Sequence, residues 1–136
     1  MPIVDTNVLV RFLAEDDLQQ SARAYALVRE IQDGRRSVIL PEAVVAETVF
    51  VLANPKTYGL DRETIRRKLG FVLSLSRVKV HEKRTLLRAL EIYVEAPALS
   101  FIDSLCAAHA RSIPDKTVLS FDRDFRNVDG IHWEEP

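Results

Sequence analysis

The chain has 136 residues, 47% hydrophobic and 29% charged, with a formal net charge of −1, which is ordinary for one globular domain that buries its core without disulfides. Its single cysteine excludes an internal disulfide and favours a reducing compartment. No apolar run reaches the roughly 20 residues of a membrane-spanning helix, and we see no signal-peptide pattern. We therefore expect residues 1–136 to form a single domain that is located in the cytoplasm.

Strands and helices alternate along the first half of the chain. Gly34 is placed to end a long amphipathic helix, and the proline at position 41 suits the first turn of the next one. In chain order, the pattern predicts a strand at 2–4, a helix from 6, a helix at 18–32, a strand at 37–40 and a helix at 41–53.

The second half continues this alternation. Asp61 is a good N-cap, and Ser100 with Asp103 has the spacing of a capping box in which aspartate replaces the usual glutamate. The pattern predicts a helical stretch at 60–75, a strand at 77–80, helices at 83–95 and 101–111, and strands at 117–121 and 131–134. Short apolar strands alternating with helices predict an α/β fold, with a mostly parallel sheet sandwiched between helices.

Four acidic residues stand in otherwise apolar stretches of this pattern. Asp5 is the only charged residue from 1 to 10, Glu47 the only one from 43 to 53, Asp103 the only one from 97 to 110 if histidine is neutral, and Asp122 closes the run TVLSFD. Burying a carboxylate in such surroundings costs several kcal/mol unless a partner compensates it. Four such acids from separate segments suggest one shared counter-charge, and a divalent cation is the simplest candidate.

The predicted topology allows these acids to meet. Asp5 and Asp122 follow the carboxyl ends of predicted strands, where open α/β sheets bind their ligands. Asp103 lies in the first turn of a helix and Glu47 in the second turn of another, so all four can converge on one edge of the sheet. Hard cations such as Mg²⁺ or Mn²⁺ prefer oxygen ligands and can activate water for attack on phosphorus.

Three of the acids also have simpler structural explanations. Asp5 could be a helix N-cap, Asp103 the helix-start partner of Ser100, and Asp122 part of an ordinary turn with Asp124. Glu47 is harder to explain structurally, because its helical neighbours are apolar and offer no local partner. The joint pattern is therefore more specific than any single member.

Basic residues cluster in the polar stretches of the chain. A basic rim around an acidic pocket would suit a polyanion, although solvated helix faces are the simpler explanation. The clusters comprise Arg35 and Arg36; Arg62, Arg66, Arg67 and Lys68; and Lys83, Arg84 and Arg88. The single Cys106 is predicted to be a small buried hydrophobe rather than a nucleophile.

Four segments, in order, resemble the PIN-domain nucleases, and the opening D-T-N-V-L looks most like the VapC toxins of toxin–antitoxin pairs. The segments are MPIVDTNVLVRFL, VVAETVFVL, SFIDSLCAAHA and TVLSFDRDF. The resemblance implies an endoribonuclease that binds Mg²⁺ or Mn²⁺ and cuts single-stranded RNA. Its three principal acids would be Asp5, Glu47 and Asp103, and its looser fourth acid Asp122, with Asp124 as the alternative.

The resemblance also implies supporting residues and partners. Thr6 and Asn7 match the polar residues beside the family's first acid, and Ser120 stands where threonine is commoner. Such toxins form homodimers and are silenced by a small antitoxin protein whose C-terminal segment blocks the acidic site. The region 60–75 would contact a partner or RNA, with Arg62, Arg66 and Arg67 as candidate phosphate contacts.

Two other functions compete with this interpretation. A phosphatase with a covalent aspartyl intermediate would need a strand ending in D-x-D, but Asn7 occupies the second acidic position and cannot protonate a leaving group. The other competing function is that of a catalytically inactive PIN-like module that binds RNA or protein. The presence of all four acids argues against this function.

Overall fold

The structure of the protein, a computed structural model, describes all residues 1–136. It contains six α-helices and four short strands, and the predicted α/β fold class is confirmed. In chain order these are α1 (Thr6–Ala14), α2 (Leu18–Gln32), β1 (Val38–Ile39), α3 (Glu42–Ala53), α4 (Arg62–Ser74), β2 (Val78–Lys79), α5 (Lys83–Glu95), α6 (Phe101–Arg111), β3 (Thr117–Leu119) and β4 (His132–Glu134).

Local sequence signals set most of the helix ends. The side chains of Asp17 and Asp61 accept hydrogen bonds from the backbone N–H groups of Gln20 and Thr64, at 3.0 and 2.7 Å, and so start α2 and α4. Gly34 has a φ of 77° just after α2, in the left-handed region that suits glycine. None of the helices is both long enough and apolar enough to cross a lipid bilayer.

The chain divides into two compact units, Met1–Lys83 and Arg84–Pro136. In the first unit, β1 pairs in parallel with β2 through Val38 opposite Val78, and Ile3 forms a parallel bridge with Ile39. Helix α1 packs against α2 and α3. The fully buried side chains of this unit include those of Leu40, Val45, Leu52, Ile65, Leu69 and Leu73.

The second unit pairs β3 in parallel with β4, with Val118 opposite Trp133, and packs α6 against β3. A 3₁₀ helix over Arg123–Asn127, which the sequence pattern did not predict, connects these strands. The fully buried side chains here include Leu86, Leu90, Ile92 and Leu99. The prediction that Cys106 is buried was wrong: its helical neighbours Leu105 and Ala107 face inward, but Cys106 is exposed, because successive helical residues point in different directions.

Candidate functional site

Asp5 occupies the junction between the first extended segment and α1. The N–H of Val4 donates to the carbonyl of Ile39 at 2.9 Å, which anchors the segment just before Asp5. Asp5 has extended backbone angles and takes the N-cap position of α1, but its side chain makes no capping hydrogen bond. Its carboxylate is exposed and therefore available to an external ligand beside the positive end of the α1 dipole.

Glu47 is brought to the same place by the packing of α3 against α1. The hydroxyl of Thr6 donates to Oε2 of Glu47 at 2.7 Å, across 41 residues of sequence. Because Thr6 is only 6% exposed and follows Asp5 directly, it fixes Glu47 beside the residue that carries the first carboxylate. The bond uses one oxygen of Glu47 and leaves Oε1 free.

Asp103 adopts the predicted capping box at the start of α6. Its N–H donates to Oγ of Ser100 at 3.1 Å, and the N–H of Ser100 donates to Asp103 Oδ2 at 3.4 Å. The second bond is long and therefore weak. Asp103 thus has the structural role predicted for it, as the partner of Ser100 at the start of the helix. This role leaves Oδ1 of the half-exposed carboxylate without a protein partner.

Asp122 follows β3 and starts the 3₁₀ helix. Its Oδ1 accepts a hydrogen bond from the N–H of Asp124 at 2.8 Å, and its own N–H donates to Oγ of Ser120 at 2.9 Å. Ser120 is in turn tied to β4, because its N–H donates to the carbonyl of Glu134. Ser120 therefore positions Asp122, while both Asp122 and Asp124 are exposed to solvent.

The expectation that these acids are buried was wrong. Asp5, Glu47 and Asp122 are exposed and Asp103 is half-buried. The apolar residues around Glu47 explain the error: Val45 and Val49 are buried, but Phe50, which lies on the same side of α3 as Glu47, is 70% exposed. Because these carboxylates are exposed, the cost of desolvating them gives no reason to expect a counter-ion. The expectation of a bound cation therefore depends on the chemistry of the carboxylate oxygens.

The donor set of the first unit fits a hard divalent cation. Asp5 offers a carboxylate with no hydrogen-bond donor, and Glu47 offers one that is oriented by Thr6. Nowhere in the chain do three or more His, Cys, Asp and Glu side chains come close enough to hold one ion. Mg²⁺, however, keeps several waters and is usually bound by only one or two carboxylates plus substrate phosphate, so the pair Asp5 and Glu47 suits it.

A second group of residues lies near Asp5, and two of its members, Arg11 and Arg23, were not predicted. Asn7 lines an open cavity of about 400 Å³ together with Arg11, Arg23 and Arg36. Arg11 is one helical turn after Asn7, which is the only sequence signal that linked it to the site. Arg11 pairs with Asp16 at 2.9 Å and Arg36 with Glu30 at 3.7 Å, whereas Arg23 pairs with no carboxylate.

The predicted phosphate contacts on α4 differ in their surroundings. Arg66 forms an ion pair with Glu63, and this hydrogen-bonded pair lowers the pKa of the Glu63 carboxyl. Arg67 is exposed and lines a different cavity, of about 320 Å³, with Lys68 and Tyr25. Cys106 is an unsuitable nucleophile, since desolvation raises the pKa of its thiol and the charge of Asp103 raises it further.

Comparison with known proteins adds one finding to this geometry. The family model described as PIN domain matches residues 3–131, a range that includes all four candidate acids and most of each compact unit. No curated protein matches the chain.

Proposed function

Since the chain belongs to the PIN-domain family, whose members are generally nucleases, we propose that it is an endoribonuclease that depends on Mg²⁺ or Mn²⁺ and cleaves single-stranded RNA. Two observations support this best: the Asp5 carboxylate makes no capping hydrogen bond, and the hydroxyl of the next residue, Thr6, orients the Glu47 carboxylate. Oxygen donors of this kind are the ligands that such cations select.

In this proposal the acidic residues of the site are those that the family resemblance implies: Asp5, Glu47, Asp103 and Asp122, with Asp124 as the alternative to Asp122. Asp5 and Glu47 are the pair that would hold the cation. Each of the first three has a carboxylate oxygen that no protein group occupies. The bound ion would supply Lewis-acid activation of water and would neutralise charge on the phosphodiester. In this role Thr6 would orient Glu47 through its hydroxyl, and Ser120 would position Asp122. The amide of Asn7, which is exposed and lines the neighbouring cavity, would bind substrate or solvent.

We further propose that the chain acts in the cytoplasm as the toxin of a toxin–antitoxin pair. This rests on the resemblance of its opening D-T-N-V-L to VapC toxins. The partners would be a small antitoxin protein and a second copy of the chain, with Arg62, Arg66 and Arg67 contacting RNA phosphates. Expressing the chain alone should arrest growth, and expressing the Asp5→Asn variant should not; equal growth in both cultures would contradict the toxin role.

The enzymatic proposal is tested by incubating the purified chain with single-stranded RNA in Mg²⁺, in Mn²⁺ and in EDTA. Cleavage is expected in the first two conditions only, with a 5′-phosphate on the downstream product. An inactive binding module would bind RNA without cutting it in any condition. Turnover of p-nitrophenyl phosphate without RNA cleavage would instead identify a phosphatase.

Replacing Thr6 with valine is expected to lower the cleavage rate about 10- to 100-fold, the usual cost of losing a group that orients a metal ligand. Thr6→Ser keeps the hydroxyl and should retain most of the activity. Thr48→Val is the matched control, because this buried threonine is on α3 one residue after Glu47 but donates only to the carbonyl of Val44. Equal rates in Thr6→Val and Thr48→Val would show that the Thr6–Glu47 bond has no role in catalysis.

A further inference from the structure

The second unit carries an open, cationic groove at the C-terminal end of α6, with a volume of about 680 Å³. Its charged lining consists of four cations, Arg84, Arg88, Arg111 and Lys116, and one acid, Asp129. The remaining lining residues are small: Thr85, Ala108, Ser112 and Gly130. No large apolar side chain is available to anchor a protein partner, so the groove has the character of an anion-binding surface.

Arg111 is held in place within this groove. Its Nε donates to the carbonyl of Asp129 at 2.8 Å. Gly130 makes this approach possible, since its φ is 81° and a Cβ there would lie 3.0 Å from Nε of Arg111. The two terminal guanidinium nitrogens keep all their donors free, in the planar arrangement that recognises phosphate.

Lys116 closes the same end of α6. Its Nζ donates to the carbonyl of Arg111 at 3.1 Å, one of the carbonyls that the helix leaves without an intrahelical partner. Its backbone has a φ of 59°, an unfavourable conformation for a lysine. Arg111 and Lys116 therefore contribute to the structure as well as to the charge of the groove.

Arg84 and Arg88 have no comparable structural role. They are exposed, stand one helical turn apart on α5, and form neither a hydrogen bond nor an ion pair. Elsewhere Arg11, Arg35, Arg36 and Arg66 each pair with a carboxylate, whereas Arg23 and Arg29 do not. Arg84 and Arg88 differ from these in being two unpaired cations that stand one helical turn apart. Like charges four residues apart destabilise a helix. The repulsion between Arg84 and Arg88 therefore destabilises α5, and a bound polyanion would offset it.

The groove is too far from Asp103 to hold the same phosphate. Asp103 and Arg111 are at opposite ends of α6, and eight residues of helix span about 12 Å. Lys116 likewise precedes β3, whereas Asp122 follows it. A phosphate in the groove must therefore belong to a nucleotide away from the point of cleavage.

We propose that this groove binds backbone phosphates of the single-stranded RNA substrate that flank the cleavage point. The inference rests on the proposed ribonuclease function, but the binding it describes needs no cation and no cleavage. The groove recognises the charge of the strand and not its bases, so it sets the affinity for long RNA without setting the sequence preference.

The test measures how RNA affinity depends on salt for the full chain in EDTA, using fluorescence anisotropy with a labelled polyuridine strand of about 20 nucleotides. Each phosphate contact to a single strand contributes about 0.7 to the slope of log affinity against log salt, so the double variant Arg84→Ala, Arg88→Ala should lose about 1.4. The variant should melt no earlier than the wild type, because both side chains are exposed and unpaired.

The matched control is the double variant Arg29→Ala, Lys56→Ala, which removes two exposed, unpaired cations from the first unit and changes the net charge equally. Its slope is expected to stay close to that of the wild type. An unchanged slope in the Arg84, Arg88 variant, an equal loss in the control, or competition by an acidic peptide but not by unlabelled RNA would each overturn the proposal. If the ribonuclease function alone is wrong, RNA will not be cut in Mg²⁺ or Mn²⁺, yet the difference in slope will remain.

Discussion

Replacing Asp5 with asparagine is expected to lower the rate of RNA cleavage at least about 100-fold while changing the free energy of unfolding by less than about 0.5 kcal/mol. The carboxylate is exposed and makes no capping hydrogen bond, so its removal breaks no contact that stabilises the fold. It does remove a charged oxygen from the proposed cation site. Removing a group that only hydrogen-bonds to a metal ligand lowers activity or metal affinity about 10- to 100-fold. Removing a ligand itself should lower activity by at least the larger of these factors.

Initial cleavage rates at saturating Mg²⁺, together with urea unfolding curves without metal, measure both effects. Glu47→Gln should behave like Asp5→Asn, because it removes the second carboxylate of the same pair. Glu91→Gln is the control: this exposed residue of α5 undergoes the same chemical change and has no partner to lose. Near-wild-type cleavage by Asp5→Asn would remove Asp5 from the site.

Leu52→Ala should have the opposite effect, lowering the free energy of unfolding by about 2–5 kcal/mol while the folded fraction still cleaves RNA. Leu52 is on α3, the helix that carries Glu47, and its side chain is fully buried. Truncation removes apolar contacts and leaves a cavity that the packed interior fills only in part. The Thr6–Glu47 hydrogen bond does not involve this side chain, so the site should survive in molecules that stay folded.

Urea unfolding measures the stability change, and cleavage per folded molecule is assayed well below the unfolding midpoint. Phe50→Ala on the same helix is the control, because Phe50 is 70% exposed and should change stability by less than about 0.5 kcal/mol. A loss below about 1 kcal/mol for Leu52→Ala would mean that α3 is not the buried support of the site.

The helices could be predicted closely from the sequence because their ends depend on nearby residues. The bounds of α2, α5 and α6 agree with the predicted ranges to the residue. The capping box of Ser100 and Asp103 is an example, since both partners lie within four residues of one another. Strand lengths were overestimated: 37–40 and 77–80 contribute only two paired residues each, because pairing depends on a partner that is distant in sequence.

The candidate site could be predicted only in part. The apolar surroundings drew attention to Asp5, Glu47, Asp103 and Asp122, but their burial was wrongly inferred, since neighbours in a helix or strand face different directions. The bond from Thr6 to Glu47 joins residues 41 positions apart and has no local signal. The structure has two compact units. That residues 1–136 form one domain stays a prediction.

The cationic groove could likewise be predicted from the sequence only in part. Arg84 and Arg88 stood out as a basic pair on one predicted helix. Their grouping with Arg111 and Lys116 depends on the left-handed turn at Lys116 and on the close approach of Gly130 to Arg111. Such tertiary placement has no periodic signature in the sequence.

The most direct test of the proposed mechanism is the anomalous scattering of Mn²⁺ in crystals of the wild-type chain and of Asp5→Asn. We expect one strong peak in the wild type, contacted by carboxylate oxygens of Asp5 and Glu47 and completed by water, and no such peak in the variant. A wild-type crystal in saturating Mn²⁺ that shows no peak at these carboxylates, or the same peak when Asp5 is replaced, would contradict a shared cation site.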